Sequence, residues 1–109
     1  MKLTNVKIAR EKLSHYLLTW REEDDKSGYL ALAGFSQESS DSLMEELVRL
    51  THEGEALLSR TNEYGDLLAL DGELTGPNGH RIGVRTIWIR RRVDEETHFV
   101  TLVPLEIET

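Results

Sequence analysis

The apolar positions of the chain follow a helical period in the first half and a strand period in the second. Leu13, Tyr16, Leu17 and Trp20 recur at three and four residues, as do Leu43, Leu47 and Leu50, with Met44 and Thr51 widening the second stripe. That spacing places each set on one face of a helix, with Lys12, His15 and Thr19, and later Glu45, Glu46 and Arg49, turned to water. From Asp66 onward the period becomes two. Leu68, Leu70 and Leu74 oppose Leu67 and Ala69, and Ile82, Val84, Thr86 and Trp88 oppose Arg85, Ile87, Ile89 and Arg91. Further on, Phe99, Thr101, Val103, Leu105 and Ile107 oppose His98, Val100, Leu102 and Glu106.

These patterns predict a helix over about Arg10–Trp20 and a loop over Arg21–Asp25. Lys26–Phe35 reads as a short helix ended by Gly34, with a buried strand as the alternative. A third helix carries the Leu43 stripe. Ser36, Ser39, Ser40 and a Ser42–Glu45 capping box compete for its start, and Gly54 stops or bends it before a further turn at Ala56–Leu58. Val6 and Ile8 form an entering strand or an extended arm, and Ser59–Glu63 is a connection. Gly76-Pro77-Asn78-Gly79 is a hairpin signal between strands at Asp66–Leu74 and Ile82–Ile89. After an acidic turn at Val93–Glu96, His98–Ile107 supplies a third strand that is an edge, or is broken, at Pro104. The expected fold is α+β: two to three N-terminal helices packed on a C-terminal antiparallel β-meander of three to four strands. It occupies one domain, 1–109, with a helical part 8–58 and a sheet 64–107.

Composition narrows the class. With 39% hydrophobic and 30% charged residues in 109 positions, the chain can bury a modest core. No apolar run reaches the roughly 18 residues of a membrane span, and the N-terminus has no apolar block of the secretory kind. The absence of cysteine excludes disulfides and thiolate metal sites, and makes the cytoplasm the default expectation. A net charge of −7 argues against generic binding to nucleic acid. Yet Arg81, Arg85, Arg90, Arg91 and Arg92 are close together, apart from the acidic runs at 22–25 and 94–96. They form either a locally basic sheet edge or charges that merely solvate loops and strand ends.

Several pieces together resemble a small bacterial domain family of unknown function. They are Lys12-Leu13 with Tyr16-Leu17-Leu18, Gly34-Phe35-Ser36, Leu74-Thr75-Gly76-Pro77-Asn78-Gly79, and Val84-Arg85-Thr86-Ile87-Trp88-Ile89. Members of that family stand alone or form the C-terminal tip of larger toxin-like proteins, and the family resembles the barnase/colicin/RelE-type metal-independent ribonucleases. The chain departs from the pattern at Lys26-Ser27-Gly28-Tyr29, at Leu67-Leu68 in place of a strand tyrosine, and at Thr101-Leu102-Val103-Pro104, where a tyrosine is replaced by Val103.

Metal-free RNA cleavage needs a base for the 2′-hydroxyl, a cation at the phosphate and an acid for the leaving oxygen. Lys12, Lys26 and Arg85 are the candidate cations, and His98 the candidate acid or base, with Thr101 completing the catalytic set. Thr86 is a candidate phosphate ligand and Trp88 a candidate base platform. Each has a plainer reading: His98 as a solvent-facing strand residue, Trp88 as a core anchor beside Val84, and the two threonines as ordinary strand formers. The four histidines lack H-x-x-x-H spacing, and neither a calcium loop nor a phosphate-binding glycine loop is present, so no metal and no cofactor are expected. Two functions follow. One is a ribonuclease-like toxin domain, intact or degenerate, with RNA as partner. The other is a non-catalytic protein that binds a cognate partner protein in a two-gene toxin–antitoxin-type module; its open strand edge would receive that partner.

Overall fold

The computed structural model describes residues 1–20, 22 and 26–105. Its spine is a long hairpin in which β3 (Gly65–Thr75) and β4 (Arg81–Arg91) pair antiparallel from Gly65↔Arg91 to Thr75↔Arg81. β5 (Thr97–Pro104) lies against β4, and β2 (Leu57–Asn62) against β3. β1 (Val6–Lys7) adds to β5 in parallel, giving the order β1-β5-β4-β3-β2. The expected antiparallel meander of three to four strands is thus corrected to a five-stranded mixed sheet. The two extra strands have little pattern to betray them. All six residues of β2 are exposed, so no apolar alternation marks it, and it replaces the expected helical turn at Ala56–Leu58 and the connection after it. β1 is two residues long, secured where the Thr97 N–H donates to the Asn5 carbonyl.

The helical layer is also shorter than its stripes implied. The first helix is a π-helix over Lys12–Leu17, closed by the Leu18 N–H donating to the Leu13 carbonyl at 2.8 Å. This five-residue step widens the turn. Leu13, Leu17 and Leu18 therefore point inward, while Trp20, which a 3.6 period puts on the same face, is 73% exposed. α1 spans Ser27–Ala31, and Gly34 follows it at φ +88°. Ser36 opens a 3-10 turn (Gln37–Ser39) that runs into α2 (Ser40–Glu53), with its N–H on Ser39 Oγ at 2.8 Å. Leu43, Leu47, Leu50 and Thr51 of α2 are buried, as the stripe predicts.

The core lies between this layer and one sheet face: Leu13, Leu17, Leu30, Leu43 and Leu47 meet Leu68, Leu70, Leu74, Val84, Trp88 and Leu102. In β5 the expected alternation is corrected. Ile87 pairs with Thr101, but Trp88 pairs with Phe99, so Val100 is an extra residue in a β-bulge. The bulge puts both Phe99 and Leu102 in the core, and the Phe99 ring meets Trp88 edge-on at 5.2 Å. Glu106 and Ile107 of the expected strand lie outside the described residues, as does most of the Arg21–Asp25 loop.

The hairpin tip is clasped by the turn after α1. The Asn78 N–H donates to the Ala33 carbonyl at 3.3 Å, and Asn78 Nδ2 donates to the Leu32 carbonyl at 3.1 Å. Gly76 permits this approach, because a Cβ there would stand 1.8 Å from the Ala33 oxygen. Among the described residues, no helix is long and apolar enough to cross a membrane.

Candidate active site

β1 pairs with β5 only at Thr97 and His98, so from Phe99 onward that side of β5 has no strand beside it. The π-helix lines the space. Glu11, Lys12, His15 and Tyr16 face Val100 and Thr101 across a groove of about 510 Å³. The bulge aims the Val100 carbonyl at Lys12, whose Nζ donates to it at 3.1 Å. Behind the groove wall, Lys26 Nζ donates to the Tyr16 hydroxyl at 3.2 Å. Lys26 is only 6% exposed, a rare situation for a lysine, which is seldom buried without polar partners.

Three of the candidates named from sequence thus converge: Lys12 and Thr101 line the groove, and Lys26 reaches it through Tyr16. Arg85 and His98 are placed on the outer face of the sheet. Arg85 forms a two-pronged pair with Asp71 (2.8 and 2.9 Å), and this bond holds the Asp71 carboxyl below its ordinary range and the guanidinium above its own. His98 Nε2 lies 3.0 Å from Glu96. Thr86 and Trp88 belong to the core. Trp88 is 0% exposed, which leaves no ring face for a base, and its Nε1 donates to Thr86 Oγ1 at 2.7 Å. The Thr86 hydroxyl in turn donates to the Leu70 carbonyl at 2.7 Å.

His15 and Tyr16 were not among the sequence candidates. His15 sits away from the apolar stripe, and Tyr16 counts as part of it. The signal available was their adjacency to Lys12, which any helical geometry keeps nearby. Chemically the groove offers a cation, an imidazole, a phenol and a hydroxyl around a partly apolar floor. Such a set can bind a phosphate, shelter a planar ring and transfer protons.

Among the described residues, one group of potential metal ligands stands elsewhere. Asp94, Glu96 and His98 bring ligand atoms within 4.8 Å of one another in the β4–β5 turn. Arg91 already bonds Asp94, which pulls that carboxyl down to about 2, and lies 3.6 Å from Glu96.

The fold is similar to that of one chain in a contact-dependent growth inhibition toxin–immunity protein complex from Klebsiella pneumoniae 342. The TM-score is 0.71 at 16% identity, over 90% of this chain and 98% of that one. No curated protein matches the chain. Residues 2–106 match the family described as a domain of unknown function, DUF6883, and the chain belongs to that family.

Proposed function

We propose that this chain is a toxin-type domain that cleaves RNA by metal-independent transesterification in the groove between the π-helix and β5. The observation that carries the reading is the convergence of Lys12, His15, Tyr16 and Thr101 on one groove. The family resemblance to ribonuclease folds and the likeness to a chain of a toxin–immunity complex support it. In this reading, His15 takes the proton of a ribose 2′-hydroxyl. The 2′-oxygen attacks phosphorus, the bond to the 5′-oxygen breaks, and the departing oxygen takes a proton from water in the open groove, leaving a 2′,3′-cyclic phosphate and a 5′-hydroxyl. Nothing is oxidised or reduced. The Lys12 ammonium and the Thr101 hydroxyl hold the phosphate as negative charge builds on its oxygens. The test is incubation of the protein with bulk RNA and a chelator. Cleavage should persist with chelator and disappear on Lys12→Ala and on His15→Ala, whereas intact RNA at large protein excess overturns the proposal.

A second reading rests on β2, an edge strand exposed along its length, with Leu57 and Leu58 uncovered. Such an edge suits addition of a strand from a cognate partner protein. Uncut RNA together with a stoichiometric complex that Leu58→Pro abolishes would favour it, since a proline removes a ladder donor.

A further inference from the structure

We infer, independently of the groove, that Asn78 is a site of spontaneous deamidation, and that the hydrogen bonds joining the hairpin tip to the turn after α1 govern both its rate and its effect. Asn-Gly is the pair most open to this reaction, since glycine puts no side chain in the way of the attacking nitrogen. Asn78-Gly79 sits at the tip of the β3–β4 hairpin with both residues exposed, so water and hydroxide reach the side-chain amide.

The reaction consumes water and releases ammonia. The Gly79 backbone nitrogen gives its proton to hydroxide and attacks Asn78 Cγ. The new C–N bond closes a five-membered imide as ammonia, protonated by water, departs. Water then opens the imide at either carbonyl and leaves aspartate or isoaspartate at that position; nothing is oxidised or reduced. In the folded chain each participant is held off this path. The Gly79 N–H donates to the Gly76 carbonyl at 2.9 Å, so the proton that must leave lies in a turn bond. Asn78 Oδ1 accepts from the His80 N–H at 3.0 Å and Nδ2 donates to the Leu32 carbonyl at 3.1 Å, which fixes the amide plane. Gly34 lies against the reacting carbon, because a Cβ there would stand 3.2 Å from Asn78 Cγ. Ring closure turns Cγ toward the Gly79 nitrogen and first breaks the bonds to Leu32 and His80. The opened tip is therefore the reactive form.

The product cannot restore the clasp. A carboxylate has no N–H, so an acceptor oxygen comes to face the Leu32 carbonyl where a donor stood. Isoaspartate also lengthens the turn by one backbone atom. Deamidation thus loosens the tip from the turn after α1.

The test ages the full chain in mildly alkaline buffer, with and without guanidinium chloride, and follows Asn78 by peptide mass mapping. Conversion in native buffer should be slower than in denaturant by about tenfold or more, since several modest hydrogen bonds open first. Gly34→Ala crowds Asn78 without touching the Asn-Gly pair. It should convert faster than wild type in native buffer and at the wild-type rate in denaturant. Asn78→Asp should read the effect directly, with faster amide hydrogen exchange at the hairpin tip and a lower urea midpoint. Equal rates with and without denaturant overturn the inference, as does an Asn78→Asp variant whose exchange and midpoint match wild type. An Asn78 that survives denaturant unchanged overturns it too. Should Gly34→Ala fail to fold, native against denatured wild type decides the rate and Asn78→Asp decides the effect.

Discussion

Replacing Thr86 by valine removes one hydroxyl from the middle of the sheet and changes almost nothing in shape. In the structure that hydroxyl accepts from Trp88 Nε1 and donates to the Leu70 carbonyl, both at 2.7 Å and both buried. Valine leaves the indole N–H without its acceptor, which costs roughly 1–3 kcal/mol, and forfeits the bond to Leu70, worth about 1 kcal/mol. Burying a methyl where an oxygen stood returns about 0.8 kcal/mol. The net loss is roughly 1–3 kcal/mol, a large part of the stability of so small a domain. Urea titration followed by far-ultraviolet circular dichroism, which reads variants with and without Trp88 alike, is the assay, with an unchanged slope and a lower midpoint as the expected result. Trp88→Phe in the Thr86→Val background should cost less than the same change in wild type, because the orphaned donor leaves with the indole. A Thr86→Val midpoint within error of wild type, with additive behaviour in the cycle, would refute the account of Thr86 as the partner that lets a tryptophan nitrogen lie in the core.

Three further outcomes follow from particular contacts. Glu46 accepts from Arg49 Nε and Nη2, each at 3.0 Å, and from the Thr75 N–H, and its carboxyl is pulled down chiefly by the Arg49 bond, with burial opposing. The folded chain therefore holds the Glu46 proton less tightly than the unfolded chain, so this stability is full above the ordinary carboxylate range and is lost as pH falls from there through the lowered folded-state value. Glu46→Gln should cost roughly 1–2 kcal/mol near neutrality and flatten the acid limb of a midpoint-against-pH plot. Gly76→Ala should lower the urea midpoint far more than Gly79→Ala. The first drives a Cβ into the Ala33 carbonyl, whereas the second meets nothing within 4 Å and bears only the roughly 1–2 kcal/mol of a left-handed residue at φ +86°. Arg85→Ala and His98→Ala should leave RNA cleavage within a few-fold of wild type, since both side chains are engaged outside the groove; abolished cleavage in either would relocate the site to the outer sheet face.

The spine of the sheet was readable because its two strands bury one face completely. Leu68, Leu70 and Leu74 across from Ile82, Val84, Thr86 and Trp88 make a period of two that no helix would tolerate, and the register follows from it. The elements that escaped notice are those in which burial and period part company. β2 buries nothing, so Leu57-Leu58 looks like a helix end and Ser59–Glu63 like a loop. The π-helix spends its inward positions on Leu13, Leu17 and Leu18, a spacing of four and then one that a 3.6-residue template assigns to Trp20 instead. In β5, the one added residue at Val100 resets the alternation, and a bulge leaves no compositional mark when the residue is itself β-branched.

The groove was harder to see, for a related reason: the chain assembles it from residues far apart. Lys12 and the Val100 carbonyl are 88 residues apart and meet only because β1 is too short to cover the rest of β5 and the bulge leaves a carbonyl facing the opening. Residue chemistry alone favoured Arg85 and His98, the most conspicuous cation and imidazole near the strands, but a cation beside a carboxylate on the same sheet face finds its partner first, as Arg85 does with Asp71. Lys26 was legible as a candidate cation, though not as a buried one. Trp88 shows the converse. Its neighbours on the face marked it as a core residue, and the polar Thr86 two positions earlier, which looked available to a phosphate, is the acceptor that satisfies the buried indole nitrogen.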